Sequence, residues 1–128
     1  MIKFLKSLFS TAPEPDYSTL VREGAVILDV RSAREYAAGH IKGSVNVPVD
    51  MIGNGHKSLS NKKQTVITCC ASGMRSGAAA KMLRANGFEQ VHNGGPWHTL
   101  QRKIWRRYRK LQCSLCCISK NKLGKIRQ

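Results

Sequence analysis

The chain has 128 residues, which fits one domain able to bury a core without disulfide or metal staples. An apolar content of 41% and a charged content of 23% exclude a disordered chain, and the lack of any repeat or heptad excludes collagen, coiled-coil and solenoid architectures. The charge is lopsided, with 22 Lys and Arg against 7 Asp and Glu for a formal net +15.

Ten of the basic residues fall in residues 101–128, and no acid follows Glu89. Residues 1–100 therefore hold 12 basic residues against 7 acidic ones, a net +5. A mildly basic body carries a strongly basic tail, which fits nucleic acid, an anionic membrane or an acidic partner. No apolar run approaches the roughly 20 residues of a membrane helix. The opening Met1–Phe9 has the look of a signal peptide, but Lys6 interrupts its apolar stretch and no small-x-small cleavage site follows cleanly. The five cysteines, two adjacent (Cys69, Cys70) and three late (Cys113, Cys116, Cys117), do not make a disulfide framework. A reducing compartment, the cytoplasm, is the expected location.

In chain order, residues 2–9 place Ile2, Leu5, Leu8 and Phe9 on one side of a short amphipathic helix, and Thr11–Asp16 is a linker marked by its prolines. Ser18–Glu23 reads as a helix capped by Ser18 and stopped by Gly24. Ala25–Val30 is an apolar run with an acid near its end, the pattern of a buried parallel strand. Ala33–Ala38 is a short helix closed by Gly39, and Ser44–Val47 a second strand stopped by Pro48. Met51–Lys63 reads as loop with a helical turn, Thr65–Cys69 as a third strand, and Ser76–Asn86 as a helix stopped by Gly87. Gln90–His92 is a last short strand, Gly94–Pro96 a turn, and Trp97–Leu111 a C-terminal helix. Alternating strands and helices predict an α/β fold with a mainly parallel sheet.

Chemistry is expected after the third strand, because open α/β sheets bind ligands at the carboxyl ends of their strands. There the chain runs Cys70-Ala71-Ser72-Gly73-Met74-Arg75-Ser76 into a helix. Gly73 permits backbone angles that turn several N–H groups onto one point. The helix start adds unpaired N–H groups and partial positive charge. Together they form an anion cradle around Cys70, which favours its thiolate. Arg75 has the fork to hold an anionic group of a substrate.

This loop closely resembles the active-site loop of single-domain rhodaneses, the sulfurtransferases. A second motif agrees: Leu28-Asp29-Val30-Arg31, Glu35-Tyr36, Gly39-His40-Ile41-Lys42-Gly43-Ser44 and Asn46-Val47-Pro48 are similar to the family's N-terminal signature. The resemblance covers about residues 17–100. It divides the chain into an N-terminal segment and linker (1–16), a rhodanese domain (17–100) and a basic, Cys-containing extension (101–128). It implies a five-stranded, mainly parallel sheet with helices on both faces. It also implies that Cys70 takes a sulfane sulfur from a thiosulfate-like donor, becomes a persulfide, and passes the sulfur to a thiol, cyanide or a protein cysteine. In that scheme the N–H groups from Ala71 through Ser72, Gly73, Met74 and Arg75 to Ser76 hold the charge, and Arg75 orients the donor's sulfonate. No metal or organic cofactor is called for, and a monomer is expected.

Asp29 and Arg31 are expected to brace loops, His40 to make a structural hydrogen bond rather than act as a base, and Glu35 to partner a base or backbone group. Trp97 walls the cleft or packs in the core. Two rivals stand beside sulfur transfer. One is a non-catalytic rhodanese-like binding or sulfur-relay module. The other is a cysteine-based phosphatase or arsenate reductase, because Cys69 and Arg75 have the Cys-x5-Arg spacing. Against the second, Thr68 stands where such enzymes carry a histidine, and Cys69 belongs to the strand. In the tail, Trp105 and Tyr108 interleaved with arginines suit nucleic acid, while Ile104, Trp105, Tyr108 and Leu111 share a helix face able to dock on the body. Cys113, Cys116 and Cys117 make half a zinc site at best.

Overall fold

The computed structural model describes residues 13–54 and 57–123, with side chains as far as Lys110. The expected helix at residues 2–9 lies outside the described residues. Helix α1 (Tyr17–Arg22) leads into β1 (Val26–Asp29), α2 (Ala33–Ala38) and β2 (Val45–Asn46). Two short 3-10 segments (Val49–Asn54, Lys57–Leu59) precede β3 (Val66–Cys70), α3 (Met74–Ala85), β4 (Val91–Pro96) and α4 (Trp97–Leu123). The strands form one parallel sheet in the order β2-β1-β3-β4.

The side-chain period of two in β1 and β3 sorts the core onto two faces. Leu28, Val30, Val66 and Cys70 point to one side, where Ala79, Ala80 and Leu83 of α3 and Ile52 cover them. Ile27, Ile67 and Cys69 point to the other, against Tyr17 of α1 and Leu100 and Ile104 of α4. Each such Leu or Ile contributes about 1.5–3 kcal/mol when fully buried. The adjacent cysteines are thus separated by the sheet itself.

The described residues hold four strands, where the family resemblance implied five. The segment before α1 contains Pro13 and Pro15, which have no N–H to give a ladder. The outer edge of β4 is met by side chains instead. Val66 N–H bonds Gln90 O, which turns the carbonyls of Val91 and Asn93 away from β3. Arg84 Nη2 donates to Val91 O (2.7 Å) and Tyr17 OH donates to Asn93 O (3.1 Å).

Several boundaries also differ from expectation: β3 runs Val66–Cys70 rather than Thr65–Cys69, and α3 starts at Met74, straight after its Gly73 cap, rather than at Ser76. The N-cap of α1 is Asp16, whose carboxylate accepts from the hydroxyls of Ser18 (2.7 Å) and Thr19 (2.8 Å), so Ser18 lies inside the helix. Gly94–Pro96 belongs to β4 rather than to a turn. A Cβ on Gly94 would stand 2.8 Å from Leu100 Cδ2 and 3.0 Å from Thr68 O, so only glycine lets β4 close on β3 there. Helix α4 runs on to Leu123, because neither Gly nor Pro occurs between Trp97 and Gly124.

Candidate active site

Strand β3 ends on Cys70, and the chain turns at once into α3. Gly73 is the helix N-cap with φ +96°, a left-handed conformation that favours glycine. This turn brings the Gly73 N–H to 2.9 Å from Cys70 Sγ. The N–H groups of Ser72 and Ser76 and the Ser76 hydroxyl, 3.4 Å away, converge on the same sulfur. Burial of the sulfur opposes its ionisation. The donors from Ser76, Gly73 and Ser72 together outweigh that opposition, so the Cys70 thiol is lowered below its ordinary value.

Ser76 is itself fixed. Its hydroxyl lies 2.7 Å from Asn93 Oδ1 and 3.1 Å from Gly73 O, and its carbonyl accepts from Thr68 Oγ1 at 2.9 Å. Asn93 Oδ1 also accepts the Gly95 N–H at 3.0 Å. With the S–H donating to Ser76, the serine proton is directed at Asn93; with a thiolate, that proton has a sulfur to face. Asn93 did not stand out in the sequence. It reaches the loop only because parallel pairing sets it beside Thr68.

Arg75 is engaged. Its Nη1 and Nη2 donate to both carboxylate oxygens of Glu35, at 2.8 and 2.9 Å. Glu35 also completes a capping box with Ser32 at the start of α2. Arg75 first, then the N–H and hydroxyl of Ser32, hold the Glu35 carboxyl down at about 2. The pair ties the first turn of α3 to the first turn of α2.

Asp29 and Arg31 form a buried bidentate pair: Nε lies 2.9 Å from Oδ1 and Nη2 2.7 Å from Oδ2. Arg31 Nη2 also donates to Gly39 O at 2.7 Å, and its guanidinium lies 4.7 Å from the centre of the Trp97 ring. Asn46 Nδ2 donates to the carbonyls of Asp29 and Arg31. These contacts brace the loop after β1. Trp97 packs on the Cys69 face of the sheet, with Gly39 close enough that a Cβ there would lie 3.4 Å from Trp97 Cη2. Its ring is partly buried there.

His40 is exposed, stacked 3.8 Å from the Tyr36 ring, with Nδ1 2.8 Å from Tyr36 O. Ala71, Ser72 and Met74 are exposed on the loop. Cys69 has no cradle: burial foremost, then the negative charge of Asp29, pushes its thiol far up. The Cys-x5-Arg register therefore starts on a sulfur facing away from the donors. Among the described residues, no group of three His, Cys, Asp or Glu is placed to share a metal ion. Two clefts, of about 530 and 300 Å³, both lie against α4 and away from this loop.

The comparisons agree with this geometry. The family model for the rhodanese-like domain matches residues 15–95. The thiosulfate sulfurtransferase GlpE of Pseudomonas fluorescens is 33% identical over 87 residues, 68% of this chain and 79% of that protein. The thiosulfate sulfurtransferase PspE of Escherichia coli is 30% identical over 69 residues, 53% of this chain and 66% of that protein. A solved structure described as rhodanese with anions from E. coli superposes with a TM-score of 0.56 at 27% identity, covering 59% of this chain and 91% of that one. A parallel sheet that delivers a cysteine into a glycine-turned N–H cradle, matched by a family model over most of the folded body, makes this chain a member of the rhodanese family.

Proposed function

We propose that the protein is a sulfurtransferase that carries a sulfane sulfur as a persulfide on Cys70. The observation that carries this reading is a buried sulfur at the start of α3, with the Gly73 N–H 2.9 Å and the Ser76 hydroxyl 3.4 Å away; the lowered Cys70 thiol follows from those donors. The Cys70 thiolate attacks the outer sulfur of thiosulfate. A Cys–S–S bond forms, the donor's S–S bond breaks, and sulfite leaves with the electron pair. Cyanide or a thiolate then attacks the outer sulfur and returns Cys70 to its starting state, with no outside oxidant or reductant. The cradle that holds the thiolate also suits the persulfide anion.

Cys70 has no exposed surface, so loop residues 71–73 have to yield when a donor arrives. Arg75, committed to Glu35, serves here as a positioning residue that holds the loop's exit, and a donor sulfonate competes with a carboxylate for it.

The test is to incubate the reduced protein with thiosulfate and weigh it intact beside Cys70→Ser. A gain of about 32 Da, one sulfur atom, in the wild type alone and removed by cyanide, is the expected result. No adduct in either protein would return the choice to a binding module. An adduct persisting in Cys70→Ser would shift the chemistry to Cys69.

A further inference from the structure

The sulfur site leaves helix α4 unused. At 100° per residue, seven of the eight basic residues of α4, Arg102, Lys103, Arg106, Arg107, Arg109, Lys110 and Lys120, fall within an arc about 160° wide, and Lys122 falls opposite them. Leu100, Ile104, Trp105 and Tyr108 occupy the opposite arc, and the sequence keeps that period through Leu111, Leu115 and Ile118. Only the start of the helix is covered. Leu100 and Ile104 are buried in the core, whereas every residue from Trp105 to Lys110 is exposed. Six successive residues span more than a full turn, so the body fully buries no face of the helix there. It continues to Leu123, about 20 Å beyond Lys110.

Within that exposed turn stand Trp105, 48% exposed, and Tyr108, 45% exposed, with ring centres 6.2 Å apart. They line a cleft of about 300 Å³ with the apolar side chains of Val21, Ile27 and Ile41, which carries the apolar arc onto the body. Lys103 and Arg107 are paired with Glu14 and Asp16, so the helix base is fixed to α1. Arg102, Arg106, Arg109 and Lys110 take part in no ion pair among the described residues.

Three occupants compete for this surface. A second copy would bring the eight basic residues of α4, with no acid on that helix, alongside the same set, which repels. A nucleic acid would engage the basic arc and stack on Trp105 and Tyr108 but leave the aliphatic positions in water. An anionic bilayer uses both, with the apolar arc and its Tyr108 at the acyl boundary, the arginines at the phosphates, and Trp105, at the edge of that arc, at the headgroup level. We propose that residues 105–123 of α4 form an interfacial helix that seats this protein on an anionic lipid membrane. The helix lies in the surface plane; no described helix is long and apolar enough to cross.

The experiment is vesicle flotation of the full chain, with pure phosphatidylcholine vesicles and with vesicles one-third phosphatidylglycerol, at low and high salt. Partitioning onto the anionic vesicles at least about tenfold above the neutral ones, weakened by salt, is expected. A blue shift of tryptophan emission, lost in Trp105→Phe, should accompany it. The double variant Leu111→Glu/Leu115→Glu should lower partitioning at least about tenfold. An unchanged thermal midpoint would show that this variant's body is intact. Equal partitioning of that variant, or binding without a Trp105 shift, would overturn the proposal, since either means adsorption by charge alone. So would binding of single-stranded RNA without binding of vesicles, or self-association as the only property the variant loses. The wild-type lipid and fluorescence arms need no variant beyond Trp105→Phe.

Discussion

Two arginine–carboxylate pairs stand at the carboxyl ends of neighbouring strands, alike in chemistry and unlike in surroundings. Arg31–Asp29 has side chains 5% and 0% exposed, whereas Arg75–Glu35 has 38% and 39%. The buried pair has surrendered the hydration of both ions, and it stands because the guanidinium's donors find Asp29, Gly39 O and Glu35 O. Its neighbour keeps water, which screens the attraction and leaves little net stability. The contrast teaches that one holds the fold and the other aims a loop.

The sharpest way to break this comparison is Arg31→Ala, which strands a buried Asp29 carboxylate. Urea unfolding should register a loss of about 3–5 kcal/mol. A loss near that of an exposed pair would erase the distinction. Glu35→Gln should leave the urea midpoint nearly unmoved yet slow thiosulfate loading of Cys70, roughly tenfold or less, through a misplaced loop. If the variant instead shows a lower KM for thiosulfate, freeing Arg75 has created a sulfonate site, and the positioning role is wrong.

Ser76→Ala sharpens the same point, because it tests whether the cradle runs on hydrogen bonds rather than on the nearby ion pair. The lowered Cys70 pKa keeps the thiolate populated below the usual thiol range, so loading is lost as pH falls through that lowered value. Removing the hydroxyl should move the midpoint of the rate–pH curve upward, toward the ordinary thiol value. An unmoved midpoint would assign the stabilisation to the N–H groups alone. The smallest effect is in acid. Glu35 is held at about 2 against an ordinary 4.5, so its contribution is complete above 4.5 and lost as pH falls toward 2. Thermal melts of wild type and Glu35→Gln should converge across that interval.

The order of elements was legible in the sequence because apolar runs and glycine stops are local signals, and α2 falls on Ala33–Ala38 as its pattern dictates. The cysteine and its glycine turn were legible for the same reason: they lie within seven consecutive residues. What was hidden depends on long-range pairing. Nothing near Asn93 in the chain marks it as a partner of Ser76, and nothing near Arg75 says that its fork is taken by a residue forty positions earlier. The extent of β4 was hidden too, since Gly94-Gly95-Pro96 has turn composition and becomes strand only where β3 leaves no room for a side chain. The fifth strand came from the resemblance rather than from any apolar run.

The edges of the sheet have a consequence for the protein's life in concentrated solution. At one side β2 is only two residues long, and the amide of its Asn46 donates inward to the carbonyls of Asp29 and Arg31. At the other, Arg84 and Tyr17 occupy the outward carbonyls of β4. A strand from another molecule therefore finds, among the described residues, only a two-residue edge at β2 and carbonyls already taken at β4. Among the described residues, the segments that could start such growth are the apolar strands Val26–Asp29 and Val66–Cys70, and only in transiently unfolded molecules.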